Sequence, residues 1–365
     1  MTELIFVCGN LYPFNVGGAE VFNHYLMQEL AQACKVSCLN SKTNKVESGI
    51  NHIRIPNGPI PALFFPFFIA VLLVFRTDKQ RLHVVLTFSR SRWVNWIYYP
   101  LLKRLFGVNY SIIVHGGGLT QWKFRAPFVR LFRSATHVIG ISERICHEYE
   151  NRTGVRVKFI PPLIPFQISK KSKQDVRQVL AIPTDAKLIL QVGSLKQLKH
   201  PETVIEALAN LGLAKLQELN LYVVFAGDGP RRELLHKLAA TNGISSHVRF
   251  LGNVPREMID DVYAASDIYV IASDFEGTPL SMLEAMANRL PVLASNAPGI
   301  NTVITHNENG LLFTTGSGSE LAQCLTQLLS DTELVHRLST EALRTVQFRY
   351  DHGKMLEAYR NLWNL

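Results

Sequence analysis

Short apolar and β-branched runs recur along this chain, each separated from the next by a segment of helix length. In the first half the pattern predicts strands over residues 4–8, 36–39, 83–88, 110–115, 137–141 and 157–160. In the second half it predicts them over 188–192, 221–226, 248–251, 268–272 and 291–295. Strands alternating with helices imply βαβ units and parallel sheets. The two groups imply two sheets, so the expected class is α/β with two Rossmann-like domains.

Between the groups lies Ile160-Pro161-Pro162-Leu163-Ile164-Pro165, where three prolines discourage regular structure and mark a linker. The basic stretch Lys170-Lys171-Ser172-Lys173 then opens the second half. The expected division is an N-terminal domain over 1–165, a second over 166–345, and a final helical stretch over 346–365 packing back on the first. A chain of 365 residues exceeds what one core usually supports. Its 47% apolar and 18% charged residues suffice for two cores and exclude disorder.

Charge adds a partner class. A net charge of +9 calls for an anionic partner: nucleic acid, an acidic membrane surface or a phosphorylated ligand. No zinc-finger spacing, RNP-like aromatic motif or long Lys/Arg block is present, which argues against nucleic acid. The uncharged run over residues 63–75 is too short to span a bilayer. It reads as a buried core helix or, beside Arg76, Lys79 and Arg81, as a surface dipping into lipid. Residues 90–104 interleave aromatic and cationic side chains, as interfacial helices do and as packed aromatics also can. The N-terminus has no basic stretch before its first apolar run, and the five scattered cysteines form no metal-like array. Both features imply a cytoplasmic protein with buried, reduced thiols.

Four places carry candidate chemistry. Gly17-Gly18-Ala19-Glu20 precedes a helical stretch over 21–33, so a glycine turn brings backbone amides to a helix N-terminus. That arrangement seats a phosphate, and it is also a common turn. His115-Gly116-Gly117-Gly118 ends a predicted strand, where ligands of open parallel sheets bind. There His115 could donate to a sugar hydroxyl or phosphate, or be purely structural. Gly193-Ser194-Leu195-Lys196-Gln197-Leu198-Lys199 follows another strand, and its lysines could neutralise a diphosphate or simply face solvent. Lastly, Ser273-Asp274-Phe275-Glu276-Gly277-Thr278-Pro279-Leu280 runs from a strand end into a helix carrying Glu284. Glu276 would point into a cleft beside turn amides and Glu284 would rise from the helix, or both are ordinary acids.

These blocks resemble those of glycosyltransferase family 4, retaining enzymes of GT-B architecture in which two Rossmann-like domains face each other across a cleft. The specific likeness runs from Gly193 to Leu312 and includes residues 225–230, 250–254, the Glu276-to-Glu284 element, Pro291-Val292 and Asn309-Gly310-Leu311-Leu312. The resemblance implies that Glu276 binds donor-sugar hydroxyls, beside the backbone of Gly277, Thr278, Pro279 and Leu280. It implies that Glu284 holds the ribose, that Lys199 binds phosphate, and that the turn around Val254 meets the base. Gly17 and Gly18 match the family's glycine-rich loop, and His115 matches its cleft histidine.

Two positions depart from that pattern. The family usually has arginine where Ser194 stands, and glycine where Arg289 stands. The first removes a phosphate charge that Lys196 could replace. No Asp-x-Asp motif is present, since the family pattern assigns the Glu276 of Asp274-Phe275-Glu276 to the sugar, so metal-independent transfer without any cofactor is expected. The expected reaction moves a sugar from a nucleotide donor, a UDP-sugar, to a lipid-linked saccharide acceptor at the inner membrane surface, in cell-surface polysaccharide synthesis. A sugar-nucleotide epimerase of the same architecture and a non-catalytic sugar-nucleotide-binding protein are the alternatives.

Overall fold

The computed structural model describes residues 2–8, 18–40, 49–54, 82–88, 95–115, 126–164, 169 and 171–365. Gly17, Gly116 to Gly118, the apolar run at 63–75 and residues 90–94 of the aromatic stretch lie outside them. The chain divides into two compact units, Met1–Leu163 with His352–Leu365, and Ile164–Asp351.

In the first unit the order is β1 (Glu3–Val7), α1 (Gly18–Ala31), β2 (Lys35–Asn40), β3 (Ile50–Arg54), β4 (Leu82–Phe88), α2 (Asn95–Phe106), β5 (Asn109–Val114), α3 (Ala126–Ser134), β6 (His137–Gly140), α4 (Glu143–Thr153) and β7 (Lys158–Phe159). The sheet order is β3-β2-β1-β4-β5-β6-β7, with every pairing parallel. Ends are set locally: the Ser142 hydroxyl accepts from the Ile145 amide to start α4, and Gly154 closes it at φ 64°.

The second unit runs α5 (Lys173–Val179), β8 (Lys187–Val192), α6 (Glu202–Leu211), α7 (Leu213–Glu218), β9 (Leu221–Ala226), α8 (Arg232–Thr241), β10 (Val248–Gly252), α9 (Arg256–Ala265), β11 (Ile268–Ile271), α10 (Leu280–Ala287), β12 (Val292–Ser295), β13 (Leu311–Phe313), α11 (Gly318–Ser330) and α12 (Thr332–Arg349). Its order is β10-β9-β8-β11-β12-β13, again all parallel. Successive strand residues feed two separate cores. Leu188, Leu190, Val224, Tyr269 and Val292 enter one, while Ile189, Val223, Phe225, Val270 and Leu293 enter the other. Helices cover both faces, which is why these strands are apolar at nearly every position.

The chain then returns to the first unit as α13 (His352–Leu362). Tyr359 and Trp363 are buried there, with Tyr359 beside Phe22 and Trp363 edge-on to Phe6. The Trp363 indole also donates to the Ser111 hydroxyl at 3.3 Å, tying the helix to β5.

The structure adds to or corrects the sequence reading in four places. Strands β3 and β13, both at sheet edges, were not predicted. Helix α1 already includes Gly18, ahead of residue 21, and Glu20 in its first turn complements the helix dipole. Cys324 is only half-buried, since its helix α11 packs one face on the core, whereas the other cysteines are buried. The second unit continues through Asp351, after α12 ends, and only α13 joins the first.

Candidate functional site

In the second unit β8 and β11 are neighbours although they are not consecutive strands, so the crossover direction reverses between them. The carboxyl ends of strands at such a reversal form the ligand crevice of open α/β sheets. The turn after β8 carries Gly193, Ser194, Lys196 and Lys199. The turn after β11 carries Ser273 to Pro279.

Backbone contacts lock the two turns together. The Asp274 amide donates to the Leu198 carbonyl at 3.0 Å, and the Glu276 amide to the Pro298 carbonyl at 3.1 Å. Gly299 sits at φ 88°, and a Cβ there would overlap the Glu276 carbonyl oxygen. Only glycine allows so close an approach in that conformation. Behind the first turn, a Cβ on Gly227 would likewise strike the Gly193 carbonyl.

With the backbone held, the side chains converge. Lys199 ends the short turn Gln197–Lys199, and its ammonium pairs with Oε1 of Glu276. Ser273 donates to the same oxygen at 2.7 Å. Asp274 turns instead to His200, 2.8 Å away, so the Asp274-Phe275-Glu276 acids do not converge on a common point. Among the described residues no three His, Cys, Asp or Glu side chains gather in a metal-like cluster. Lys196 is exposed and without an ion pair among the described residues, while half-buried Ser194 accepts the Lys196 amide on its carbonyl at 2.9 Å.

Gly277 and Thr278 continue the turn, and Pro279, in extended conformation, leads into α10 at Leu280. Pro279 makes no side-chain cap at that end, so the first-turn amides of α10 have no intrahelical partner and are available as donors. One turn further, Glu284 is buried rather than raised toward an open cleft. Arg256 donates to its Oε1 at 2.7 Å, and the Tyr263 hydroxyl lies 2.9 Å from its Oε2. Burial pushes its pKa up to about 7, against the opposing pull of Arg256 and of the Tyr263 hydrogen bond. Arg256 opens α9 two residues after Val254, so its bond to Glu284 brings the Val254 turn beside α10.

The second unit therefore assembles Lys199, Glu276, the Gly277-to-Leu280 turn, Glu284 and Val254 around one strand-end edge. Gly18 and His115 belong to the first unit. Gly18 is exposed at the first turn of α1. His115 follows β5 and is buried, its Nε2 3.0 Å from the Asn23 Oδ1, with a pKa lowered to about 3 by burial. Sequence reasoning included Ser273 in its block without giving it a role, and passed over Arg256, Tyr263, Asn23 and the Pro298–Gly299 clamp. Ser273 had a visible signal, as the hydroxyl between strand end and acid. Arg256, Tyr263 and Gly299 reach their partners from 20 or more residues away, and Asn23 meets His115 within the first unit.

Comparison with known proteins bears on the family and the fold. Residues 172–345 match the family model described as glycosyl transferases group 1, and residues 16–167 match glycosyltransferase family 4. A putative teichuronic acid biosynthesis glycosyltransferase of Bacillus subtilis is 26% identical over 69% of this chain, which spans 63% of that protein's length. The N-acetyl-alpha-D-glucosaminyl L-malate synthase of Bacillus anthracis is 24% identical over 96% of this chain and 94% of its own. The structure of Anabaena HepE in complex with UDP and glucose superposes with a TM-score of 0.80 over 100% of both chains at 19% identity, a likeness of fold.

Proposed function

We propose, for a chain that belongs to the family 4 glycosyltransferases of GT-B type, that it moves the sugar of a UDP-sugar onto a lipid-linked saccharide with retention, at the inner face of a bacterial membrane. The observation that carries this reading is the convergence of Lys199 and Ser273 on one oxygen of Glu276, beside the uncapped start of α10. In the free protein the two charges satisfy each other. A nucleotide sugar offers each a different partner: its diphosphate draws the ammonium and the α10 amides, and its sugar hydroxyls donate to the carboxylate.

As the bond from the anomeric carbon to the diphosphate lengthens, negative charge grows on the leaving oxygen, and Lys199 stabilises it. The acceptor oxygen bonds to the anomeric carbon from the same face. Its proton passes to the departing phosphate oxygen, which closes the balance without a protein nucleophile and gives retention. UDP is favoured because it is the nucleotide bound in the solved HepE neighbour.

A melting screen against UDP, GDP, ADP and their sugars tests the donor, since a ligand bound only by the folded state raises Tm. Stabilisation by a GDP-sugar and not by UDP-sugars would overturn that part. Lys199→Ala and Glu276→Ala should each lower kcat/KM by roughly 100-fold with little change in Tm; full activity in both ends the site assignment. Donor incubated alone distinguishes the epimerase, which would return an altered sugar still on nucleotide. Binding without turnover across an acceptor panel would favour the non-catalytic reading.

For the membrane contact we propose α2 and α3. Ile97, Leu101 and Leu105 form one exposed stripe along α2, at 54%, 44% and 60% exposure. Lys103, Arg104, Arg130 and Arg133 line the adjoining groove, and none is ion-paired among the described residues. An apolar stripe flanked by cations matches an anionic bilayer surface. No helix of the described residues is long and apolar enough to cross a membrane. Sedimentation with phosphatidylglycerol vesicles at low salt should retain the wild-type protein and lose Leu101→Glu/Leu105→Glu. A wild-type chain that stays in the supernatant removes the membrane claim.

A further inference from the structure

The geometry points to Asn23 as a positioning residue that holds His115 in a single tautomer, with hydrogen on Nε2 and Nδ1 left as a bare acceptor for a saccharide hydroxyl. This rests on the reading of His115 as a site residue. An amide oxygen can only accept, so the 3.0 Å contact from Asn23 Oδ1 requires the hydrogen to be on Nε2. Asn23 lies on α1 and is 4% exposed, and the adjacent Phe22 ring packs edge-on to the imidazole at 5.1 Å. Ring and amide are thus fixed from the same helix.

The other nitrogen is where the structure leaves something undone. Nδ1 of His115 is buried and has no hydrogen-bond partner among the described residues. Buried polar atoms are nearly always paired, and an orphan at a strand end invites a ligand atom. Burial also keeps the ring neutral, with a pKa lowered to about 3, so a second hydrogen is not added at physiological pH. An unprotonated Nδ1 accepts from O–H and is repelled by phosphate oxygens. The sequence alone left His115 either donating to a hydroxyl or phosphate or purely structural; the Asn23 contact makes the remaining nitrogen an acceptor and selects the hydroxyl.

The decisive measurement is the imidazole nitrogen spectrum of ¹⁵N-histidine-labelled full-length protein, with His115→Gln to assign the signal. The expected pattern is a neutral ring protonated on Nε2. Asn23→Leu, which cannot accept, should mix the tautomers and lower kcat/KM at least ten-fold toward the nucleotide sugar selected in the melting screen. Asn23→Asp keeps an acceptor and should restore the single tautomer. Hydrogen on Nδ1 in the wild-type protein overturns the inference, whatever the variants do. So does an Asn23→Leu protein with unchanged tautomer and unchanged kcat/KM. An Nε2-protonated ring in a protein whose His115→Ala variant turns over at full rate overturns instead the reading that places His115 at the site.

Discussion

Oxygen Oε1 of Glu276 collects two donors, the Lys199 ammonium and the Ser273 hydroxyl, and they hold it differently. The lysine has another partner in prospect, whereas Ser273 is 1% exposed and stays. Ser273→Ala should therefore release the carboxylate without unfolding the unit. One hydrogen bond to a charged group contributes about 1.5–3 kcal/mol to stability, so Tm should fall by several degrees, and the loosened carboxylate should lower kcat/KM. Glu284 makes a different test. Its pKa is raised from 4.5 to about 7 chiefly by burial, so the folded chain holds this proton more tightly than the unfolded chain does. The stabilisation is complete below 4.5 and is lost as pH climbs through about 7. Thermal melts across that window should show a falling Tm in the wild type and a flatter profile in Glu284→Gln. The residue types of this site were legible because each follows a strand end or opens a helix. Their pairing was not: Lys199 and Glu276 are 77 positions apart, and nothing local told that Arg256 and Tyr263 would enclose Glu284.

At the scale of elements, the interior strands were legible because a strand covered on both faces must be apolar throughout. The edge strands escaped for the converse reason. Strand β3 reads Ile50-Asn51-His52-Ile53-Arg54, polar enough for a loop, and β13 has only three residues. Both take their hydrogen bonds from one neighbour, so less apolar surface is required of them. Packing between loops was equally hidden, and Gly299 shows why. Its neighbours look like an ordinary turn, yet its φ of 88° and its fit against the Glu276 carbonyl admit no side chain. Gly299→Ala should cost about 1–3 kcal/mol in backbone strain. It should also displace the Glu276 loop, so that donor-induced stabilisation in the melting screen is lost along with activity. A variant that retains both would show that the loop is not clamped there.

At the scale of the whole molecule, the two sheets differ in how the chain builds them. The second unit is one contiguous stretch, while the first depends on α13, which arrives after the second has been traversed. Deleting residues 352–365 removes buried Tyr359 and Trp363 from against Phe22 and Phe6. Losing one large buried aromatic typically costs about 3–5 kcal/mol, a large part of a domain's stability. Hydrogen exchange should then accelerate in β1, α1 and β5 while β8 to β12 keep their protection; uniform protection would refute the dependence. That same return of the chain sets a timetable on the ribosome. The half translated first cannot finish its interior until the closing aromatic residues emerge, so the later half is free to mature ahead of it, and nascent copies stalled before residue 352 expose an unsealed first sheet.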